Sequence, residues 1–245
     1  MLLVLLIALM ELRRRSQSES AQASSQAIAA SSALFHGLQD GEIHALLDVA
    51  TRADYPAQSW VYRQGDPARH FFLVESGLVQ LRLLTAQGED VLIRFVKSGE
   101  VFGYLTLSLA GSNAESAQVI QPSRLVVWER DIALQSLQTI PKAAINLFNI
   151  AARDSVYFYD RSRRLLTQDV GRRVEFALSE LVRTMGISTP GGIVVAHGIG
   201  QRELAELAGT TIFTVSRELT KLQRQGILEK QRGRIVVLQL EKLSA

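Results

Sequence analysis

The sequence predicts an α+β protein in which an antiparallel β domain precedes a long helix and a small helical domain that ends in a hairpin. Between residues 53 and 127, short runs rich in Val, Leu and Phe alternate with Gly-containing turns, as in the hairpins of a sandwich or barrel. From Pro141 to Leu166, apolar residues recur every three or four positions, which is typical of a helix. Two short helices and a hairpin complete the chain.

The composition of the 245 residues is that of a globular protein. Hydrophobic residues make up 47% and charged residues 21%, so a sizeable core can form in one large domain or two smaller ones. The net charge of +3 is only a weak indication of a nucleic-acid partner. Because the chain has no Cys, it has no disulfide, no cysteine-ligated zinc and no cysteine-held iron–sulfur cluster.

Residues 1–33 are predicted to be an apolar start and a flexible linker. The apolar run from Leu2 to Met10 is shorter than the about 20 residues that span a membrane. Its positive charge follows the run, whereas a secretory signal carries that charge before it. Three interpretations stay open: a mis-assigned start with Met10 as the true one, a helix packed on the body, and a weak membrane contact. We expect no stable membrane association.

The first folded element is a helix with apolar residues at helical spacing between Ile43 and Ala50. The β domain that follows has its strands separated by turns that contain Gly, which supplies the positive φ of tight turns. We expect one of these turns at residues 75–77. The strand-like runs are 59–62, 70–74, 77–83, 90–96 and 125–128.

The long helix is expected to mediate dimerisation. Pro141 is well tolerated at the first helical position. A helix of this length cannot bury every face against a small β domain, so a symmetric dimer about it is the simplest solution. The alternative is a helix packed only within its own subunit. The stripe expected to face a partner is Ala144, Phe148, Ala151, Ser155, Phe158, Ser162 and Leu165.

The final segment carries two short helices, 201–208 and 212–223, joined by Gly209-Thr210-Thr211, a helix-turn-helix pattern. Thr210 or Thr211 can cap the second helix. Residues 201–245 hold eight Lys or Arg and five Glu, a balance of +3 that suits phosphate neutralisation. Such charges are also common on any solvated helix face, but the basic hairpin that directly follows favours DNA binding.

These motifs resemble those of the Crp/Fnr family of bacterial regulators, over roughly Leu34 to Leu243. The matching segments, in order, are 62–68, 71–77, 99–103, 209–211 and 214–217. The resemblance implies a jelly-roll β-roll effector domain (34–138), a dimerisation helix (139–167) and a winged helix-turn-helix (168–245). It also implies a cytoplasmic homodimer on an inverted-repeat DNA site, with RNA polymerase as a partner and no catalytic residues.

The resemblance further implies that the helix beginning near Thr211 contacts DNA bases. Arg217 matches a base-contacting family position, and Arg paired with guanine is the commonest specific contact. The sequence departs from the best-known members at Ile212-Phe213, where Arg or Glu is usual; Phe213 suits a thymine methyl group instead. The predicted DNA-binding residues are Gln201, Arg202, Thr211, Phe213, Thr214, Ser216, Arg217, Lys221 and Arg232.

In cyclic-AMP-binding members, a Glu after Phe-Gly holds the ribose and an Arg-Ser pair holds the phosphate. The matching positions here are Tyr104 and Glu115-Ser116, and a carboxylate at Glu115 repels a phosphate. The positions that approach the adenine align with Tyr157-Phe158. We therefore expect an effector other than cyclic AMP. The predicted effector pocket is Gly103, Tyr104, Leu105, Glu115, Ser116, Tyr157 and Phe158.

Other sensors of this family use an iron–sulfur cluster, which the missing Cys excludes, or haem, which stays open. The histidines are His36, His44, His70 and His197. A surface position is the simpler interpretation for each, although His36 and His44 are near enough in sequence to share a region. Control by expression level without any effector is also open. A cupin-like metalloenzyme is disfavoured because no two histidines form a close pair on a strand, and we expect no metal.

Overall fold

The computed structural model describes residues 31–107, 111–195, 200–231 and 234–243. The apolar start, His197 and the predicted DNA contact Arg232 lie outside the described residues. The described residues confirm the α+β class, with two antiparallel sheets separated by helices. Among them, no helix is both long enough and apolar enough to cross a membrane.

Six strands form the N-terminal β domain. Their order is β1-β6-β3-β4, with β2 paired to β6 and β5 paired to β3, and every pairing is antiparallel. The two long strands β3 and β6 pair from His70–Glu129 to Arg82–Ser116, so this strand pair runs along the whole domain. The strands are β1 (Thr51–Tyr55), β2 (Trp60–Tyr62), β3 (His70–Leu84), β4 (Asp90–Lys97), β5 (Val101–Phe102) and β6 (Ser116–Glu129).

The turn expected at residues 75–77 is wrong, because β3 runs through this segment without reversing. The register with β6 shifts on both sides of Ser76, which marks a bulge that bends the strand. Gly77 has φ +98°, and a Cβ there would lie 2.5 Å from the Pro122 carbonyl oxygen. Gly is therefore used for a close approach of two backbones within a pair, rather than for a hairpin.

Three helices pack against the β domain: α1 (Asp40–Asp48), α2 (Arg130–Thr139) and α3 (Pro141–Thr167). The core here is aromatic and aliphatic, and Phe71 stacks on Trp128 with ring centroids 4.9 Å apart. The Trp128 indole donates to the Leu46 carbonyl at 2.7 Å, which ties α1 to β6. The buried Asn146 amide of α3 donates to the Leu34 and His36 carbonyls.

The face of α3 that is left exposed differs from the predicted stripe. Ala144, Ala151 and Phe158 are half-buried within their own chain. The other four residues of the predicted stripe, Phe148, Ser155, Ser162 and Leu165, are exposed. The large apolar side chains that α3 exposes are Ile145, Phe148, Val156, Tyr159, Leu165 and Leu166.

The C-terminal domain contains α4 (Val170–Met185), α5 (Gln201–Ala208) and α6 (Ile212–Arg224). A sheet of order β7-β8-β10-β9 flanks these helices. The core of this domain is continuous with the β domain, because Leu78, Leu92 and Phe95 belong to the same buried cluster as the faces of α4, α5 and α6. The strands are β7 (Gly186–Thr189), β8 (Gly192–Val195), β9 (Leu228–Gln231) and β10 (Arg234–Val237).

Gly77→Ala is expected to destabilise the β domain more than Gly65→Ala. Both glycines have positive φ, which costs an Ala about 1–2 kcal/mol. Only Gly77 has atoms near its missing Cβ, since nothing lies within 4 Å at Gly65; overpacking at Gly77 adds about 1–3 kcal/mol. Urea unfolding of both variants measures the difference, and equal losses would contradict the close approach at the bulge.

Candidate nucleic-acid interface and effector pocket

The helix-turn-helix is built by burying one face of each short helix against the other. Leu204 and Leu207 of α5 lie in one buried cluster with Val215, Leu219 and Leu222 of α6. These positions follow the three-to-four spacing of an amphipathic helix. Since the apolar face of α6 is used in this way, its opposite face is directed to solvent.

The turn between α5 and α6 is set by a glycine and a hydroxyl cap. Gly209 has φ +59° and ends α5 in the left-handed conformation, the usual helix C-cap. The Thr211 side chain accepts from the Thr214 backbone N–H at 3.2 Å, so Thr211 is the cap that the sequence left open between two threonines. It satisfies one of the free N–H groups at the start of α6.

The solvent face of α6 carries one large aromatic residue among basic and hydroxyl side chains. Phe213 is 88% exposed, so its ring is accessible to a partner. The side chains of Arg217 and Lys221 are 72% and 62% exposed. Together with Ser216, Thr220 and Arg224 they line one open concave surface. This face presents groups suited to base edges and to phosphates.

Glu218 lies beside these cations on α6. Its carboxylate is 3.5 Å from Arg217 Nε and 3.9 Å from Lys221 Nζ. Both cations are largely exposed, although the Glu218 side chain is only 15% exposed. Ion pairs at a solvent-exposed face are worth little in water. Arg217 and Lys221 can therefore exchange this contact for a DNA phosphate or base at small cost.

Of the nine predicted DNA-binding residues, six lie on α6 or at its cap, and all six are exposed or half-exposed. Gln201 and Arg202 begin α5 instead, and Arg202 Nε is 3.1 Å from Glu206. Arg232 lies outside the described residues. The assignment of these residues to DNA contacts stays a prediction.

Arg172 is a further basic residue beside this surface that the sequence alone did not single out. It lies in the first turn of α4, with its side chain 63% exposed. Backbone hydrogen bonds from Arg172 and Gly171, with the charges of Arg172 and Lys221, lower the pKa of Asp169. Arg172 and Lys221 therefore share one locality although 49 positions separate them (221 − 172).

In the β domain, five of the seven predicted pocket residues surround one small cavity of about 60 Å³. A second cavity of about 40 Å³ adjoins Tyr62 and Glu115. Pockets for small-molecule ligands usually measure about 300–1,000 Å³. The residues that the structure brings together at the larger of the two cavities are Gly103, Tyr104, Leu105, Glu115 and Phe158.

A polar network fills the space around this cavity. The Tyr104 hydroxyl donates to Asp154 Oδ2 at 2.5 Å, and Arg94 Nη2 lies 3.2 Å from the same oxygen. Burial raises the pKa of Tyr104, and Asp154 raises it further. Burial also raises the pKa of the Glu115 carboxyl, which the nearby Arg94 opposes. Sequence reasoning missed Arg94 and Asp154, because no short motif marks a pair that is 60 positions apart (154 − 94).

The remaining two predicted pocket residues lie elsewhere. The Ser116 hydroxyl accepts from the Gln64 backbone N–H at 2.9 Å. Tyr157 lines a separate cavity of about 280 Å³ at the junction of the β domain, α3 and α4. Burial and the neighbouring Glu180, which shares a hydrogen bond with its hydroxyl, raise the pKa of Tyr157.

The three described histidines are surface residues. His36, His44 and His70 are all exposed. The His44 ring nitrogen Nδ1 lies 2.6 Å from the Asp40 carbonyl oxygen.

Two family models match the chain. The one described as a cyclic nucleotide-binding domain matches residues 52–139, and the one described as a Crp-like helix-turn-helix domain matches residues 172–245. The first spans β1 to α2 and the second spans nearly all of the C-terminal domain. The two matches are thus separated by α3.

Relatives of known description cover most of the chain. It is 32% identical over 207 residues to the cyclic AMP receptor protein of Thermus thermophilus, covering 84% of this chain and 92% of that one. It is 25% identical over 217 residues to a CRP-like cAMP-activated global transcriptional regulator of Mycobacterium tuberculosis, covering 89% and 97%. The solved structure of the c-di-GMP responsive global regulator CLP of Xanthomonas campestris matches with TM-score 0.69 and 25% identity, covering 81% and 99%.

The fold and the exposed helix-turn-helix define a DNA-binding transcription regulator rather than an enzyme. The chain belongs to the Crp/Fnr family, whose cyclic nucleotide-binding fold and Crp-like helix-turn-helix it contains.

Proposed function

We propose that this regulator is a cytoplasmic homodimer that binds an inverted-repeat DNA site, and that an effector other than cyclic AMP controls its DNA affinity. RNA polymerase is its proposed partner at promoters, since the relatives include global transcription regulators. The observation that carries the DNA-binding proposal is the exposed face of α6, where Phe213 lies among basic and hydroxyl side chains.

Within α6, Arg217 is proposed to contact a guanine and Phe213 a thymine methyl group. Both lie toward the N-terminal half of the helix, which contacts base edges in helix-turn-helix proteins. Arg224 follows Arg217 by seven positions, about two turns, and so lies on the same face. Its proposed role is a phosphate contact, which adds affinity without sequence preference.

The dimer proposal is supported by the exposed apolar face of α3. Phe148, Val156 and Tyr159 are 72%, 68% and 76% exposed, and they recur at helical spacing along one side. Large exposed apolar faces mark interaction surfaces. A second copy of α3 is the occupant favoured here, because a two-fold axis beside the helix gives each apolar face an identical partner.

The effector proposal is supported by charge and space in the β domain. Glu115 lies at the cavity where a nucleotide phosphate would have to approach, and Asp154 adds a second carboxylate nearby. The Tyr104 hydroxyl already donates a hydrogen bond to Asp154. At the position where cyclic-AMP-binding members hold the ribose, this protein therefore has a side chain that is paired within the chain. The cavity of about 60 Å³ is below the range of small-molecule pockets. The two carboxylates and the small volume both support an effector other than cyclic AMP.

Arg217→Ala is expected to remove sequence preference. A selection from random duplexes with the unaltered chain yields the preferred site, and fluorescence anisotropy compares that site with random DNA. Losing a bidentate guanine contact costs about 1–3 kcal/mol on the preferred site only. The control Arg224→Ala is expected to weaken both duplexes about equally. Equal loss on both duplexes with Arg217→Ala would contradict the base contact, and a selection without any enriched site would contradict sequence-specific binding.

Phe148→Glu combined with Val156→Glu is expected to convert the dimer to a monomer. Each substitution places a carboxylate in the proposed interface, opposite a two-fold copy of the same face. Sedimentation equilibrium measures the mass. Ile187→Glu, which changes an exposed apolar residue of β7, serves as the control and should stay dimeric. A monomeric unaltered chain, or double variants that remain dimeric, would overturn the proposed interface.

Cyclic AMP is expected to produce no binding heat in calorimetric titration and no change in affinity for the selected site. The physical reason is the carboxylate of Glu115, which opposes a phosphate in a partly buried position. c-di-GMP is titrated in parallel, since a relative is described as responsive to it. Saturable binding of cyclic AMP that Glu115→Gln strengthens would show that the pocket opens for nucleotides and that Glu115 only weakens them.

A further inference from the structure

The β domain holds the helix-turn-helix through a buried arginine. Arg82 on β3 is 5% exposed. Its Nε atom lies 2.8 Å from both carboxylate oxygens of Asp90, and its Nη2 atom donates to Glu206 Oε2 at 2.8 Å. Glu206 belongs to α5, the first helix of the helix-turn-helix. One guanidinium therefore joins the β3–β4 hairpin to the DNA-binding domain.

Glu206 is held by more than this ion pair. The same oxygen accepts from the Leu92 backbone N–H at 3.0 Å. The Glu206 carbonyl accepts from Arg161 Nη2 at 3.1 Å, and Arg161 Nη1 also donates to the Ile93 carbonyl at 2.7 Å. Residues of β3, β4 and α3 thus converge on one residue of α5, which fixes both its side chain and its backbone.

The position of α5 determines that of α6. The two helices bury their apolar faces in one cluster, which also contains Leu92 and Phe95 of β4. Close-packed helices transmit displacement because interiors have few voids. Yet the solvent face of α6 contacts none of these β-domain residues, and Phe213 and Arg217 remain exposed. The contact therefore orients the recognition surface without covering it.

We propose that the ion pair between Arg82 and Glu206 positions α6 for simultaneous binding of two half-sites. The inference rests on the proposed two-fold dimer and its inverted-repeat site. Each recognition helix must then meet its half-site at a fixed spacing. Once one recognition helix of the dimer has bound its half-site, the other binds intramolecularly, at a high effective concentration. This effective concentration is high when the DNA-binding domain is held in place and falls when the domain is held loosely. Arg82 and Glu206 are positioning residues, because neither contacts the DNA itself.

The test compares Glu206→Ala, Arg82→Ala and the double variant with the unaltered chain. Arg124→Ala is the matched control, since Arg124 forms an exposed pair with Asp54. Anisotropy gives the affinities for the selected inverted repeat and for a duplex that carries one half-site. Hydrogen exchange of the segment 90–96 reports independently on the Leu92 amide that donates to Glu206.

Glu206→Ala is expected to weaken binding to the inverted repeat by about tenfold while single half-site affinity stays within about twofold. The double variant should lose no more than Glu206→Ala alone, because the two residues act as one unit. Exchange of the Leu92 amide should become faster in these variants and stay unchanged in the Arg124→Ala control. If Arg82→Ala does not fold, Arg82→Lys replaces it, since Lys keeps the charge but lacks the planar fork of donors that joins Asp90 and Glu206 in a fixed geometry.

Unchanged affinity of Glu206→Ala for the inverted repeat would overturn the positioning role, and so would equal losses on both duplexes. Tighter binding would overturn it too, because the contact would then hold α6 away from its DNA-binding position. These outcomes differ from failure of the proposed function, in which the unaltered chain itself has no preference for an inverted repeat.

Discussion

The antiparallel pairing of β3 with β6 is the constraint on which the rest of the structure depends. The strands span 15 and 14 residues, and every other strand of the N-terminal sheet pairs with one of them. β1 and β2 pair with β6, while β4 and β5 pair with β3. The bulge beside Gly77 bends this pair, since an extra residue increases local twist. Because of the bend, the same pair of strands contributes to both ends of the domain.

The interior polar groups of the β domain show how a nucleotide-binding fold can be altered without losing its shape. Arg94 lies between the carboxylates of Glu100 and Asp154, and Glu115 adds a further charge near it. A buried charge is costly unless it is paired. Arg94 therefore stabilises carboxylates that would otherwise be unfavourable there. The protein's own charged side chains thus pair with one another in the interior of the β domain.

Strand β4 contributes side chains to both domains. Its Leu92 and Phe95 side chains lie in the core of the C-terminal domain, while its Arg94 lines the cavity of about 60 Å³ in the β domain. The register between β3 and β4 shifts at Ile93, since Leu81 pairs with Arg94 and Arg82 pairs with Leu92. This bulge interrupts the alternation of the strand, so that Leu92 and Phe95 share a face. The same short segment can therefore contact the DNA-binding domain on one face and the cavity on the other. This arrangement brings the two parts of the regulator within a few residues of each other.

Local patterns in the sequence determined the order of elements and the helix-turn-helix. The spacing of Leu204, Leu207, Val215 and Leu219 was enough to predict two packed helices, and Gly209 was enough to predict the break, because these features depend on neighbours within a few positions. The assignment of Arg217 to the solvent face of α6 followed from the same periodicity. The short polar strand β1 was not predicted, because its exposed residues lack the apolar alternation that marks a strand.

Tertiary structure alone decided which face of α3 is exposed, that β3 continues past Gly77, and which charges meet. Periodicity gives the spacing of a stripe but not its direction, so Phe158 proved to be half-buried against its own β domain while Tyr159 is exposed. The Arg82–Glu206 contact joins residues 124 positions apart. Such pairs depend on how separate elements pack together, and no local propensity or short motif carries that information.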